Sequence, residues 1–127
     1  MNKEQCMEAS ISQKYLRLTG FPKHQEKLSN IATHYHISLS VALQLCLAYV
    51  EGIYSVPKTV NSYSKVMGEN VWTPFSKKKL IELETFLKEE EADYAELARH
   101  CIREFHKRLV SGTLNERHDA FITYLSR

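Results

Sequence analysis

The chain has 127 residues, 43% of them hydrophobic and 25% charged, with a formal net charge of +2. That is the composition of one small globular domain, or of two very small units sharing a core; it excludes a disordered chain and gives no global charge signal for nucleic acid. Four Gly and three Pro favour long helices over a turn-rich β-fold. In chain order, Met7, Ile11, Tyr15 and Leu18 recur at helical spacing, with Gly20 as a stop. Pro22 suits the first turn of the next helix, which carries Leu28, Ile31, Ala32 and Tyr35 on one face. Ser38 or Ser40 can cap a third helix running to about Glu51, before Gly52.

Residues 53–75, with Pro57, Gly68 and Pro74, read as an irregular connector holding one short helix near Val60 to Met67. A further helix starts near Ser76 with Leu80, Leu83, Phe86 and Leu87. The clearest period follows in Tyr94, Leu97, Ala98, Cys101, Ile102, Phe105 and Leu109, ended by Gly112. Thr113 and Glu116 have capping-box spacing and open a last helix with Leu114, Phe121, Ile122 and Leu125. The expected fold is mainly α: a compact single-domain bundle of about six helices, built on 39–51 and 94–110. Two helix-hairpin halves, 1–52 and 75–127, flank the connector. A shift of 55 residues brings Leu28 onto Leu83, Ile31 onto Phe86 and Cys46 onto Cys101, so duplication is one reading and the chance likeness of two helix hairpins is the other.

The segment from Leu28 to Val50 resembles the helix-turn-helix DNA-binding family. Ile31, Ala32, Tyr35, Ile37, Ala42 and Leu45 fall where that motif places apolar or small residues, and His36 stands where the family has Gly. The helix after the turn holds no Lys or Arg between Leu39 and Val50, and a helix apolar nearly all round is a core helix. Residues 14–51 also resemble a ribbon-helix-helix unit: a short strand, KYLRLT at 14–19, and then two helices. In that family a strand pair from two chains reads the groove, which implies a homodimer. The resemblance implies that Lys14 or Tyr15, Arg17 and Thr19 face outward and that Ser38 or Ser40 sits at a phosphate. Residues 71–107 match the outline less well, with Pro74 inside the would-be strand.

Other candidate contacts are local. Lys77, Lys78 and Lys79 open a helix and either meet an anion or pair with Glu82. Arg99, Arg103 and Lys107 form one stripe flanked by His100 and His106, either a phosphate contact or a solvated face. Tyr54, Tyr63, Trp72 and Phe75 with Lys58 and Lys65 suit base stacking or closure of the bundle. Glu96, His100 and Glu104 share a face, and His34 and His36 are close in sequence, but no metal-ligand spacing or cofactor motif is present. Cys46 and Cys101 lie on apolar faces; with Cys6 they make three thiols without CxxC spacing, which points to a reducing compartment and a cytoplasmic address. No phosphate loop, nucleophile elbow or catalytic carboxylate pair is found. Two functions fit: a small non-enzymatic DNA-binding regulator, or a helical adaptor or inhibitor that binds a protein partner, in either case without a membrane.

Overall fold

The computed structural model describes residues 13–55 and 70–125. Seven elements run through them: β1 (Gln13–Arg17), α1 (Pro22–Tyr35), α2 (Leu39–Glu51), β2 (Asn70–Pro74), α3 (Lys77–Glu89), α4 (Tyr94–Ser111) and α5 (Asp119–Leu125). The fold is mainly α, as the periodicity indicates.

The chain is built as two copies of one unit, strand, helix and helix. A shift of 57 residues carries β1 onto β2, and a shift of 55 carries the starts of α1 and α2 onto those of α3 and α4. The local signals repeat with it. Ser38 caps α2, accepting the Val41 N–H at 3.1 Å, and Asp93 caps α4, accepting the Glu96 N–H at 2.8 Å. His36 and Glu91, 55 apart, are the only non-glycine residues with positive φ among those described (57° and 53°). His36 thus takes the left-handed position between α1 and α2 that Gly would fill at lower cost. It turns the chain through 97° from α1 to α2.

β1 and β2 pair antiparallel, Gln13 opposite Pro74 and Arg17 opposite Asn70, with Tyr15 and Trp72 as the central pair. A pseudo-two-fold axis therefore passes through that pair. The helical reading from Met7 to Leu18 is corrected at its C-terminal end, because residues 13–17 are extended; its start lies outside the described residues, as does the expected helix at 60–67. The period-2 pattern won because Leu16 and Leu18 bury their side chains on the helices while Arg17 between them stays in water. Pro74 is accommodated as the last residue of β2, where a missing N–H costs least. The second half accordingly begins at Asn70, within what reads as connector.

One core joins both halves. α2 packs on α1, α4, α5 and β2, and every residue from Ser40 to Ala48 is buried. α4 packs on α2, α1 and β1 with a one-sided face of Tyr94, Ala98, Cys101, Ile102 and Phe105. α5 closes the end of α2 through an aromatic cluster in which Tyr49 stands 5.4 Å from Phe105 and 5.5 Å from Phe121, ring to ring. The final helix starts at Asp119, later than the capping-box spacing indicates. The Thr113 hydroxyl is taken by Ser111 (2.7 Å) and its N–H by the Arg108 carbonyl, while His118 Nδ1 accepts the Ala120 N–H at the helix start. No single helix among the described residues is long and apolar enough to cross a membrane.

Candidate functional site

Two surfaces gather the candidate residues. The first is the ribbon. Leu16 and its partner Val71 are buried on one face, with Thr73, whose hydroxyl lies 2.6 Å from the Tyr94 hydroxyl. In register, Gln13 pairs with Pro74, Tyr15 with Trp72 and Arg17 with Asn70, and alternation turns Arg17 away from the buried face. Arg17 is exposed there. Lys14 belongs to the core-side register and reaches α3, with its Nζ 3.6 Å from Glu84. Of the expected outward set, Arg17 is exposed and Lys14 is not on its face. Thr19 lies beyond the strand.

The second surface is the seam between α1 and α4. The guanidinium of Arg99 stacks 4.0 Å above the Phe21 ring at the start of α1. Lys27, Arg99 and Arg103 lie close enough to His24 for their charges, after partial burial, to lower its pKa. His106 is lowered in the same way, by partial burial and then Lys27, with Glu26 opposing. Arg103 Nη2 donates to His100 Nδ1 at 3.3 Å. The ion pairs among the described residues use none of Lys27, Arg99, Arg103 and Lys107. Lys107 is exposed on the same helix.

The remaining candidates separate. Ser38 is the cap of α2 and half-buried. Ser40 is corrected as a phosphate contact: it is fully buried and accepts from Gln44 Nε2 at 3.3 Å, because the helix face it lies on points into the core. Lys77, Lys78 and Lys79 stand at the start of α3, capped by Ser76 through the Lys79 N–H (3.2 Å). Glu82 takes Lys79 at 3.1 Å, while Lys77 and Lys78 are exposed.

His100 of the Glu96, His100 and Glu104 stripe meets Glu51 of α2 at 3.7 Å, a helix-to-helix contact. Among the described residues no group of three or more His, Cys, Asp or Glu is placed to hold a metal ion. Cys46 and Cys101 are buried free thiols, and burial pushes both upward in pKa, Cys101 to about 12, which removes the thiolate needed for nucleophilic work. Phe75 is buried edge-on to Tyr94, closing the core as one of the two readings of the connector aromatics has it; Lys58, Tyr63 and Lys65 lie outside the described residues.

Sequence reasoning passed over Phe21, His24 and Lys27. The spacing of His24 and Lys27 marks one helical face, but nothing local says that this face meets Arg99 and Arg103 across a seam. Trp72 reads as a stacking aromatic and not as a strand residue, because Pro74 argues against a strand there, although the 55-residue repeat points to a second strand near 70. No family model, curated protein or solved structure matches this chain.

Proposed function

We propose that this protein is a non-enzymatic DNA-binding regulator of the cytoplasm that lays its two-stranded ribbon into the major groove. The single observation behind the reading is the ribbon itself. Its buried face is fixed on the helices by Leu16 and Val71, and Arg17, between Leu16 and Leu18, is exposed. A guanidinium is a group that reads base edges, and a two-stranded ribbon fits the width of the groove. This is the use that the ribbon-helix-helix resemblance implies, with one chain supplying both strands. α2 is buried over Ser40–Ala48 and so has no face to offer a groove.

Binding of a labelled duplex tests this directly. Wild-type protein is expected to bind with an affinity that falls steeply as salt rises, because phosphate contacts release counterions. Arg17→Gln is expected to weaken a selected sequence by about 1–3 kcal/mol and random duplex by less. Absence of salt-sensitive binding to any duplex would remove the reading. The protein-partner alternative then takes its place; Ile81, Val110 and Ile122, exposed at 64%, 72% and 58%, are the observation that favours it.

A further inference from the structure

The pseudo-two-fold makes a comparison possible at every position of the seam. The counterparts, 55 residues away, of Lys27, His106, Arg99 and Arg103 are Glu82, Glu51, Gln44 and Ala48, and the counterpart of His24 is Lys79. On that side Glu51, Lys79 and Glu82 line a cleft with Leu83 and Phe86, and Lys79 is neutralised by Glu82. Element starts and cap geometry repeat, but α1 packs on α4 while its counterpart α3 is set off from α2 by that cleft, and the charge does not repeat either. One side of the molecule holds three cations and two imidazoles against Glu26, and the other holds two carboxylates against one lysine.

Like charges crowded across a helix seam repel, and each costs stability unless an anion sits between them. In the seam they are held in place. Arg99 is fixed by stacking on Phe21, Arg103 is oriented by His100, and His24 Nε2 is a buried nitrogen without a hydrogen-bond partner. Phe21 bonds back to the Leu18 carbonyl through its N–H at 2.8 Å, so the seam begins at the chain segment that leaves the ribbon after Arg17.

We propose that the seam formed by His24, Lys27, Arg99, Arg103 and His106 is a phosphate-backbone track, and that it grips the duplex on one side of the ribbon only. The inference rests on the ribbon reading and sharpens it: the protein binds with a fixed polarity, and its target is not palindromic. The ribbon agrees with this. The pseudo-symmetric positions of Gln13, Tyr15 and Arg17 are Asn70, Trp72 and Pro74, so the two half-sites meet different residues. A phosphate in the seam also offsets the repulsion that His24 feels from Lys27, Arg99 and Arg103, and that His106 feels from Lys27 beside Glu26. Both imidazoles then take up protons on binding.

The test compares four full-length proteins on a labelled random-sequence duplex: wild type, a seam variant (Lys27→Gln, Arg99→Gln, Arg103→Gln), the mirror variant Lys79→Gln, and Arg17→Gln. A second seam variant that keeps the Arg99 stack (Lys27→Gln, Arg103→Gln) covers the case in which the first is poorly folded. The slope of log affinity against log salt is expected to shrink by about 0.9 for each contact removed, so by about 2.7 in the first seam variant and 1.8 in the second, with no change in the mirror variant. Wild-type affinity should rise as pH falls from about 7 to about 5.5, and His24→Gln with His106→Gln should flatten that rise. Hydroxyl-radical footprinting should lose protection at one end of the site only. Equal slopes in wild type and both seam variants would overturn the track while leaving the ribbon reading intact. If Arg17→Gln is silent on every sequence while the seam variants lose binding, the ribbon reading fails and the one-sided grip relative to the ribbon fails with it, leaving the seam as a phosphate contact alone. No salt-sensitive binding by wild type overturns both.

Discussion

α2 and α4 hold equivalent places in the two halves, and their residues have diverged in opposite directions. Val41, Gln44, Leu45 and Ala48 of α2 correspond to Glu96, Arg99, His100 and Arg103 of α4. The first four are buried and the last four reach solvent to varying degrees. The difference follows from what covers each helix. α2 is enclosed by α1, α4, β2 and α5, whereas α4 packs on α2, α1 and β1. α4 is enclosed on one side and keeps a wet face. The same backbone position is therefore a core position or a solvent-facing position according to whether a neighbour arrives. α1 and α3 show the same contrast more weakly. α1 packs against both α2 and α4, whereas α3 buries Leu80, Leu83 and Leu87 and leaves Ile81 in water.

The largest expected effect tests the enclosure of α2. Leu43→Ala and Leu47→Ala should each lower stability by about 2–5 kcal/mol in urea unfolding, since both are fully buried on a helix surrounded by core. A cost under about 1 kcal/mol in either variant would mean that α2 is less enclosed than described.

Next in size is the contact that ties the second half's strand to α4. Tyr94→Phe leaves the buried Thr73 hydroxyl without its 2.6 Å partner and should cost about 1–3 kcal/mol. The double variant Tyr94→Phe with Thr73→Val should recover part of that loss, because both polar groups then go together.

The contrast between α1 and α3 should be visible in amide hydrogen exchange. Amides of α3 are expected to exchange faster than those of α1, by local opening, because α3 has less packing to break. Equal protection in the two helices would sink that contrast. Thiol reactivity gives a companion measurement: Cys46 and Cys101 should resist alkylation until the core opens, since burial keeps both protonated.

The smallest effect is on acid stability. His24 and His106 have folded pKa values below their usual 6.5, so the unfolded chain binds their protons more readily. Their contribution is therefore neutral above about pH 6.5 and turns unfavourable as pH falls through the window between the unfolded and folded values. His24→Gln should make the protein slightly less sensitive to acid, with melting temperatures at pH 5 and pH 7.5 moving closer together than in wild type.

Much of this architecture can be read from the residues. The five helices from Pro22 onward follow from period, caps and the stops at Gly52 and Gly112, and the burial of α2 follows from its lack of any charged residue between Leu39 and Val50. β1 is harder, because Tyr15 and Leu18 satisfy a helical period as well as a strand's alternation, and only pairing with β2 decides between them. β2 is harder still, since Pro74 argues against a strand and the partner that rescues it lies more than fifty residues away in sequence. For the candidate site, Arg17, Arg99 and Arg103 are legible as exposed cations. That Lys27 and His24 stand beside Arg103 is a property of helix packing, and no local pattern in α1 or α4 encodes it.

The ribbon has one more consequence, in the order of events when the chain folds. Every pair in it joins residues more than fifty positions apart, while the α1–α2 contact is made within a short stretch. Closing so long a loop costs entropy that only the assembled core can repay, so contacts of this span form late. The ribbon that carries the exposed Arg17 thus exists only in molecules that have finished folding. A partly folded chain presents helices without the ribbon, and because both strands belong to one molecule, how much of the paired ribbon is present depends on the chain's own stability.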